Sequence, residues 1–158
     1  MTKECKQQYT LRITQANATQ LVVILYEMLL DYLEEGRIAL EEGKKDESVA
    51  AIRKARGCMN ELMNSLHLEY EPAPTLLQLY VYCIKKLAKY EYKQDLQLLE
   101  EIKKVISPLH DAYKEIEMQN TEGPVMNNSQ SVYVGLTYGK NTLTENMADQ
   151  GANRGMLA

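Results

Sequence analysis

The sequence contains neither tryptophan nor phenylalanine, although it contains eleven tyrosines. Tyrosine buries a large ring and keeps one polar hydroxyl, so it suits surfaces that are apolar yet wet at one edge. It can also replace phenylalanine inside a core whose polar groups find hydrogen-bond partners. Both interpretations of the tyrosines stay open at the level of the sequence.

Groups that perform catalysis or bind metal are scarce, since the chain has only two histidines, His67 and His110. Neither has a carboxylate three residues before it, which excludes the Glu-x-x-His pairs of di-iron helical bundles. No glycine-rich phosphate loop and no nucleophile motif is present. The sequence therefore predicts a protein that is not an enzyme and that has no metal site and no cofactor.

Long apolar runs are also absent, and the N-terminal residues are polar, so we expect neither membrane insertion nor a secretory signal. The three cysteines are widely spaced, which favours reduced thiols in the cytoplasm over a disulfide framework. The net charge is −4, and the lysine pairs lie close to acidic residues. This balance argues against nucleic acid as a partner.

The most apolar stretch extends from Ile13 to Leu40 and shows the periodicity of an amphipathic helix. Asn17 and Gln20 have the spacing of a capping box, which predicts a helix start at Ala18. Gly43 can adopt the left-handed conformation that ends a helix. The apolar stripe is so wide that more than one neighbouring element must cover it.

Three further helices are predicted from their caps and apolar stripes. We expect Asp46 to cap the second helix, Thr75 and Gln78 to form a capping box for the third, and Asp95 to cap the fourth. Pro74 suits a first helical turn. Pro108 interrupts the fourth apolar stripe, so we expect a kink or a restart of the helix there.

The predicted fold class is therefore all-α, an antiparallel four-helix bundle over residues 17–118. Residues 1–16 form an N-terminal arm, interpreted as mobile or as a short turn of helix. Residues 119–158 are rich in Asn, Gly, Thr and Gln and form a flexible or docked C-terminal tail. Two apolar islands in the tail, 132–138 and Leu143 with Met147, could lie on another apolar surface.

Several short motifs, in this order and spacing, resemble the flagellin-specific export chaperones, the FliS family. A tyrosine precedes Ile13-Thr14, a helix opens at residues 16–21, and later motifs recur on the predicted helices. The likeness extends from Tyr9 to Ile116. The motifs that carry it are Ala16-Asn17-Ala18-Thr19-Gln20-Leu21, Leu25-Tyr26-Glu27, Lys54-Ala55, Glu61-Leu62, Ser65-Leu66, Leu79-Tyr80 and Asp111-Ala112-Tyr113.

This resemblance implies a cytoplasmic chaperone that holds the C-terminal helical segment of flagellin and prevents its premature polymerisation. It also implies delivery of flagellin to the flagellar export gate. A helical client would be read by anchors at helical spacing along an apolar groove. The candidate protein-binding residues are Tyr9, Ile13, Thr14, Tyr26, Leu79, Tyr80, Tyr82 and Leu87.

Two other classes of function remain open, a generic helical adaptor and then a phosphotransfer bundle that uses His67. The position of His67 near the end of the second helix also allows a structural role at the negative end of the helix dipole. Two regulatory hypotheses follow from the termini. In the first, the arm around Tyr9 and Ile13 covers the empty groove. In the second, the tail docks through residues 133–138, or through Leu143 with Met147, on the same bundle or on a neighbouring molecule.

Overall fold

The computed structural model describes residues 1–119, which form five α-helices and contain no strand. The predicted all-α class is confirmed, whereas the tail islands at 132–138 and 143–147 lie outside the described residues. Within residues 1–119, no helix combines the length and hydropathy that a membrane span requires. The helices are α1 (Lys3–Gln15), α2 (Ala18–Glu41), α3 (Lys45–Asn64), α4 (Ala73–Lys93) and α5 (Leu96–Glu117).

The N-terminal arm is a helix of 13 residues, so the prediction of a mobile arm or short turn was wrong. Its start is capped by Thr2, whose side chain accepts a hydrogen bond from the Cys5 N–H at 3.1 Å. Glu4 lies in the first turn and Arg12 in the last, where each charge interacts favourably with the helix dipole. Local signals therefore favour the helix, although its apolar residues are few.

The start of α2 agrees with the prediction in detail. The Gln20 N–H donates to Asn17 Oδ1 at 2.8 Å, and the Asn17 N–H donates to Gln20 Oε1 at 3.0 Å. These two bonds form the predicted capping box. The chain after α2 turns at Gly43, whose φ of 78° is the left-handed conformation expected there.

Two predicted caps were wrong because the helices begin earlier than their capping signals suggest. α3 begins at Lys45, so Asp46 lies inside the first turn, where its charge favours the positive end of the dipole. α4 begins at Ala73, which is buried, and Thr75 is already helical. Pro74 lies in the first turn as predicted, since the N–H that proline lacks would have no helical partner there.

The last helix is capped by Asp95 as predicted, since its side chain accepts from the Gln97 N–H at 2.9 Å. The helix then continues through Pro108 to Glu117, so of the two predicted outcomes at Pro108 the restart was wrong, and the kink stays a prediction. Proline removes the hydrogen bond to the carbonyl of Lys104. Both residues are exposed, so water can hydrate that carbonyl.

Helices α2 to α5 surround one core, with α2 and α4 each packed against both α3 and α5. Side-chain contacts join the C-terminal half of one helix to the N-terminal half of a neighbouring helix, so these neighbours run in opposite directions. We call this part the α2–α5 core. The contacting pairs are Gly36 with Ser48, Glu91 with Arg53, Lys86 with Glu101, and His110 with Glu27.

Tyrosines occupy the centre of the α2–α5 core, and their hydroxyls bond to one another or to nearby polar groups. Tyr26 and Tyr80 are 0% and 1% exposed, and their hydroxyls share a hydrogen bond. The hydroxyls of Tyr90 and Ser48 are 2.7 Å apart, and Ser48 also donates to the carbonyl of Gly36 at 2.7 Å. These pairs allow polar groups to be buried without losing their hydrogen bonds.

Candidate protein-binding surface

One helix, α1, lies outside the α2–α5 core and packs along α2. Its buried side chains Tyr9 and Ile13, together with Ala16, form an apolar cluster with Ile24 of α2. Partly buried Leu21, Met28 and Cys5 complete this contact, which we call the α1 seam. The seam therefore covers one edge of the apolar stripe of α2, where Leu21 and Met28 also pack against the α2–α5 core.

Polar bonds hold the rim of the α1 seam. The Tyr9 hydroxyl donates to Asp31 Oδ2 at 2.6 Å, so α1 is attached to α2 by a charged acceptor. Burial and this carboxylate both raise the pKa of Tyr9, which keeps the hydroxyl protonated as a donor. The guanidinium of Arg12 lies over the Tyr9 ring, 5.6 Å from its centroid.

Glu27 of α2 connects three helices at one end of the seam. Its carboxylate lies 2.7 Å from Arg12 Nη1 of α1 and 3.1 Å from His110 Nε2 of α5. Burial by itself raises the pKa of Glu27, but the hydrogen bonds from Arg12 and His110 outweigh it and leave the pKa below its usual value. Glu27 is therefore charged near neutral pH and can hold Arg12.

The attachment of α1 is light compared with that of the other helices. Only two of its 13 residues are buried, Tyr9 and Ile13, and its opposite face is open to solvent. Leu11 on that open face is 58% exposed. A helix bound by one narrow stripe can be replaced by another helix that offers a wider apolar face.

The predicted site residues separate into a buried group and an accessible group. Tyr9 and Ile13 lie together in the α1 seam. Tyr26, Tyr80 and Leu87 are at most 1% exposed in the α2–α5 core, so a partner cannot contact them in this conformation. We therefore remove these three residues from the binding surface and assign them to the core.

The remaining predicted residues are accessible but do not form one cluster with the seam. The Thr14 hydroxyl donates a hydrogen bond to the Leu11 carbonyl at 2.7 Å, so this hydroxyl is already bonded within α1. On α4, Leu79 is partly buried and Tyr82 is 40% exposed. The Tyr82 ring centroid lies 5.0 Å from the ammonium group of Lys86.

Sequence reasoning missed Ile24, Asp31, Arg12 and Glu27 as seam residues. The excess width of the α2 stripe was the available signal, because it required more than one covering neighbour, and α1 is one of them. His67 is exposed and lies two residues after Ser65, the C-cap of α3, which is near the helix end where the sequence placed it, whereas His110 contacts Glu27.

Within residues 1–119, no group of three His, Cys, Asp or Glu side chains could hold a metal ion. Cys58 and Cys83 are buried, and burial raises the pKa of each thiol to about 12. These two cysteines are core residues rather than nucleophiles.

A family model described as flagellar protein FliS matches residues 1–120, which is more than half of the chain and includes all five helices. A search of curated proteins found no match. The matched region contains both the α1 seam and the α2–α5 core.

Proposed function

The chain belongs to the FliS family of flagellar export chaperones, and from that premise we propose that it binds the C-terminal helical segment of flagellin. Bound in this way, flagellin is kept from polymerising in the cytoplasm and is delivered to the flagellar export gate. The resemblance found in the sequence supports the same function. The observation that carries the proposal is the α1 seam, an apolar strip that is closed by a lightly attached helix.

The spacing of the strip suits a helical client. Leu21, Ile24 and Met28 follow one another at three and four residues along α2, so they form a continuous apolar ridge. An amphipathic segment that carries anchors at the same spacing would pack on this ridge. We propose that the flagellin segment takes the place of α1 on α2.

This arrangement makes α1 an intramolecular competitor. Ordering a client that is disordered when free costs about 2–5 kcal/mol of binding free energy. The free energy needed to displace α1 adds to this cost. Weaker attachment of α1 to α2 should therefore increase the affinity for the flagellin segment. Conversely, a polar substitution in the apolar ridge of α2 should lower the affinity for the flagellin segment, because α1 and the client pack on the same side chains.

Titration of the full chain with a labelled peptide of the flagellin C-terminal segment tests both the expected gain and the expected loss of affinity. We expect the double variant Tyr9→Ala, Ile13→Ala to lower the Kd and the variant Ile24→Ser to raise it by about tenfold, which corresponds to about 1.4 kcal/mol. Leu11→Ser, on the exposed face of the same helix, is the matched control and should leave the Kd unchanged. Circular dichroism checks that all variants remain helical.

An unchanged Kd in both the double variant and Ile24→Ser would show that the seam is not the client site. Failure of the wild-type chain to bind the peptide would instead favour the alternative of a generic helical adaptor, in which the seam accepts a helix from another protein. The two outcomes are distinct because the first requires a measurable wild-type affinity. The Kd of the wild-type chain is therefore needed before the variants can be interpreted.

The accessible residues of α4 offer a second contact for a client that wraps around the chaperone. Leu79 is partly buried and Tyr82 is exposed on the side of α4 that faces α5. Truncation of an exposed aromatic at the edge of an interface removes less affinity than the loss of a central anchor. We expect Tyr82→Ala to raise the Kd of the flagellin peptide by a smaller factor than Ile24→Ser does.

A further inference from the structure

Positive charge is concentrated in the C-terminal half of α4. Residues 81–93 contain four lysines and a single acidic residue, Glu91, although the whole chain has 18 basic and 22 acidic residues. A local excess of one sign on a chain of opposite net charge creates a distinct field at the surface. The helix is therefore an electropositive region on an acidic protein.

Neighbouring helices neutralise only part of this charge. Lys86 Nζ lies 2.8 Å from Glu101 Oε1 on the side of α4 that faces α5. On the other side, Glu91 is held by two cations of α3, with Arg53 Nε at 3.0 Å and Arg56 Nη1 at 2.8 Å. The only acidic residue in this half of α4 is therefore matched twice, and the surrounding charge stays positive.

The outward face of α4 between these two sides combines free lysines with apolar side chains. Lys85 and Lys89 are exposed, and neither forms an ion pair with another residue of the described part of the chain. Tyr92 is 72% exposed and Val81 is 36% exposed. At spacings of four, seven, eight and eleven residues these side chains share one helix face. The α4 outer face consists of Val81, Lys85, Ala88, Lys89 and Tyr92.

We infer that the α4 outer face binds an acidic segment of a second protein, whose carboxylates pair with Lys85 and Lys89 while its apolar side chains pack on Val81 and Tyr92. The positive field selects a partner of negative charge and accelerates its association. An exposed tyrosine beside aliphatic residues adds the apolar contact that protein interfaces require.

Nucleic acid fits this face less well, although it is also acidic. A polyanion extends beyond a patch of one helix face, and it would then meet the rest of a protein whose overall net charge is −4. A short acidic peptide segment can pair with the lysines without approaching the acidic remainder of the surface. The small size of the patch therefore favours a protein segment.

The α4 outer face is separate from the α1 seam, because α1 packs along α2 while this face belongs to α4. The inference does not depend on flagellin binding. A chain with an occupied seam can therefore contact the acidic partner at the same time, and the two sites can be tested independently.

The probe is a fluorescent amphipathic peptide made of Glu, Leu and Tyr, titrated into the full chain at low and at physiological ionic strength. We expect Lys85→Glu with Lys89→Glu to raise its Kd about tenfold at low salt, equivalent to about 1.4 kcal/mol. Tyr92→Ala should raise it about threefold, since one aromatic contact is lost. The matched control, Lys3→Glu with Lys6→Glu on the exposed face of α1, should change the Kd less than twofold, a difference of less than about 0.4 kcal/mol.

Three results would overturn the inference. The first is a peptide Kd that Lys85→Glu with Lys89→Glu leaves unchanged in a folded protein, as checked by circular dichroism. The second is tighter binding of a single-stranded oligonucleotide than of the peptide, with no contribution from Tyr92. The third is self-association of the wild-type chain in sedimentation that this charge reversal abolishes, because the occupant would then be a second copy. Retained binding of the flagellin peptide by the same variants keeps this test distinct from the proposed function.

Discussion

Helices α1 and α3 pack on α2 in different ways, and the difference separates permanent from replaceable structure. α3 buries seven of its 20 residues, whereas α1 buries two of 13. α3 also approaches α2 closely at Gly36, where an added Cβ would lie 2.8 Å from Ile52 Cδ1. The α1 seam depends instead on one apolar stripe and on polar bonds at its rim.

The contrast between α1 and α3 follows from a balance between the free energy gained by burying side chains and the conformational entropy lost when a helix is ordered. Large buried side chains supply most of the favourable free energy, while every ordered residue loses conformational freedom. With few buried residues, the net gain of α1 is small, and a competing helix can exceed it. Four predictions test this difference between α1 and α3, in order of decreasing expected effect on stability.

The largest effect is expected in the α2–α5 core at Leu87, which is fully buried. Leu87→Ala should lower the free energy of unfolding by about 2–5 kcal/mol, because it removes buried apolar contacts and leaves a cavity. Urea denaturation measures the change. Leu79→Ala, on the same helix but partly buried, is the control and should cost less. Equal costs for the two variants would mean that the core around α4 is loosely packed.

The second prediction concerns the close approach of α2 and α3. Gly36→Val should lower the free energy of unfolding by about 1–3 kcal/mol, because Ile52 is fully buried and has little room to move. Gly57→Ala is the matched control, since a Cβ there meets nothing within 4 Å. It should stabilise the protein by about 0.5–1 kcal/mol through helix propensity. A neutral Gly36→Val would show that α3 can shift as freely as α1.

The third prediction tests the buried hydroxyl pair of Ser48 and Tyr90. Tyr90→Phe should cost about 1 kcal/mol, and Ser48→Ala about 1–3 kcal/mol, because it leaves the Tyr90 hydroxyl without this partner. The double variant should cost less than the sum of the two, since neither partner is then left unpaired. Thermal and urea unfolding of the four proteins complete the cycle. Additive costs would indicate that the two hydroxyls act independently.

Features that depend on neighbours in sequence were predictable, as the capping box of Asn17 and Gln20 and the cap at Asp95 show. Their hydrogen bonds join residues two or three positions apart, so the sequence contains all the information. Asp46 and Thr75 were misjudged because residues that are poor caps can begin a helix when packing favours it, as buried Ala73 does in α4.

The candidate site was harder to predict because its pairs are far apart in sequence. Tyr9 and Ile13 are buried against α2, but their partners Asp31 and Ile24 depend on how α1 lies on α2. Helical periodicity places a residue on a face and does not say which neighbour covers that face. For the same reason, a buried tyrosine such as Tyr26 could not be separated from one lining a groove.

The smallest effect on global stability is expected for Tyr9→Phe, which keeps the ring and removes the hydroxyl that bonds Asp31. Asp31 is exposed and can be hydrated, so the loss is about 1 kcal/mol and applies to the seam alone. A change of this size increases the opening of α1 about fivefold. Urea unfolding of the α2–α5 core should remain almost unchanged.

Alkylation of the cysteines in the folded protein reports this opening directly. Cys5 is partly buried at the seam, whereas Cys58 and Cys83 are buried in the core and have pKa values raised to about 12 by burial. Tyr9→Phe should therefore accelerate the labelling of Cys5 about fivefold and leave the other two cysteines protected, because only α1 opens. If all three cysteines became more reactive together, α1 would open only when the core unfolds, and α1 would be as permanent a neighbour of α2 as α3 is.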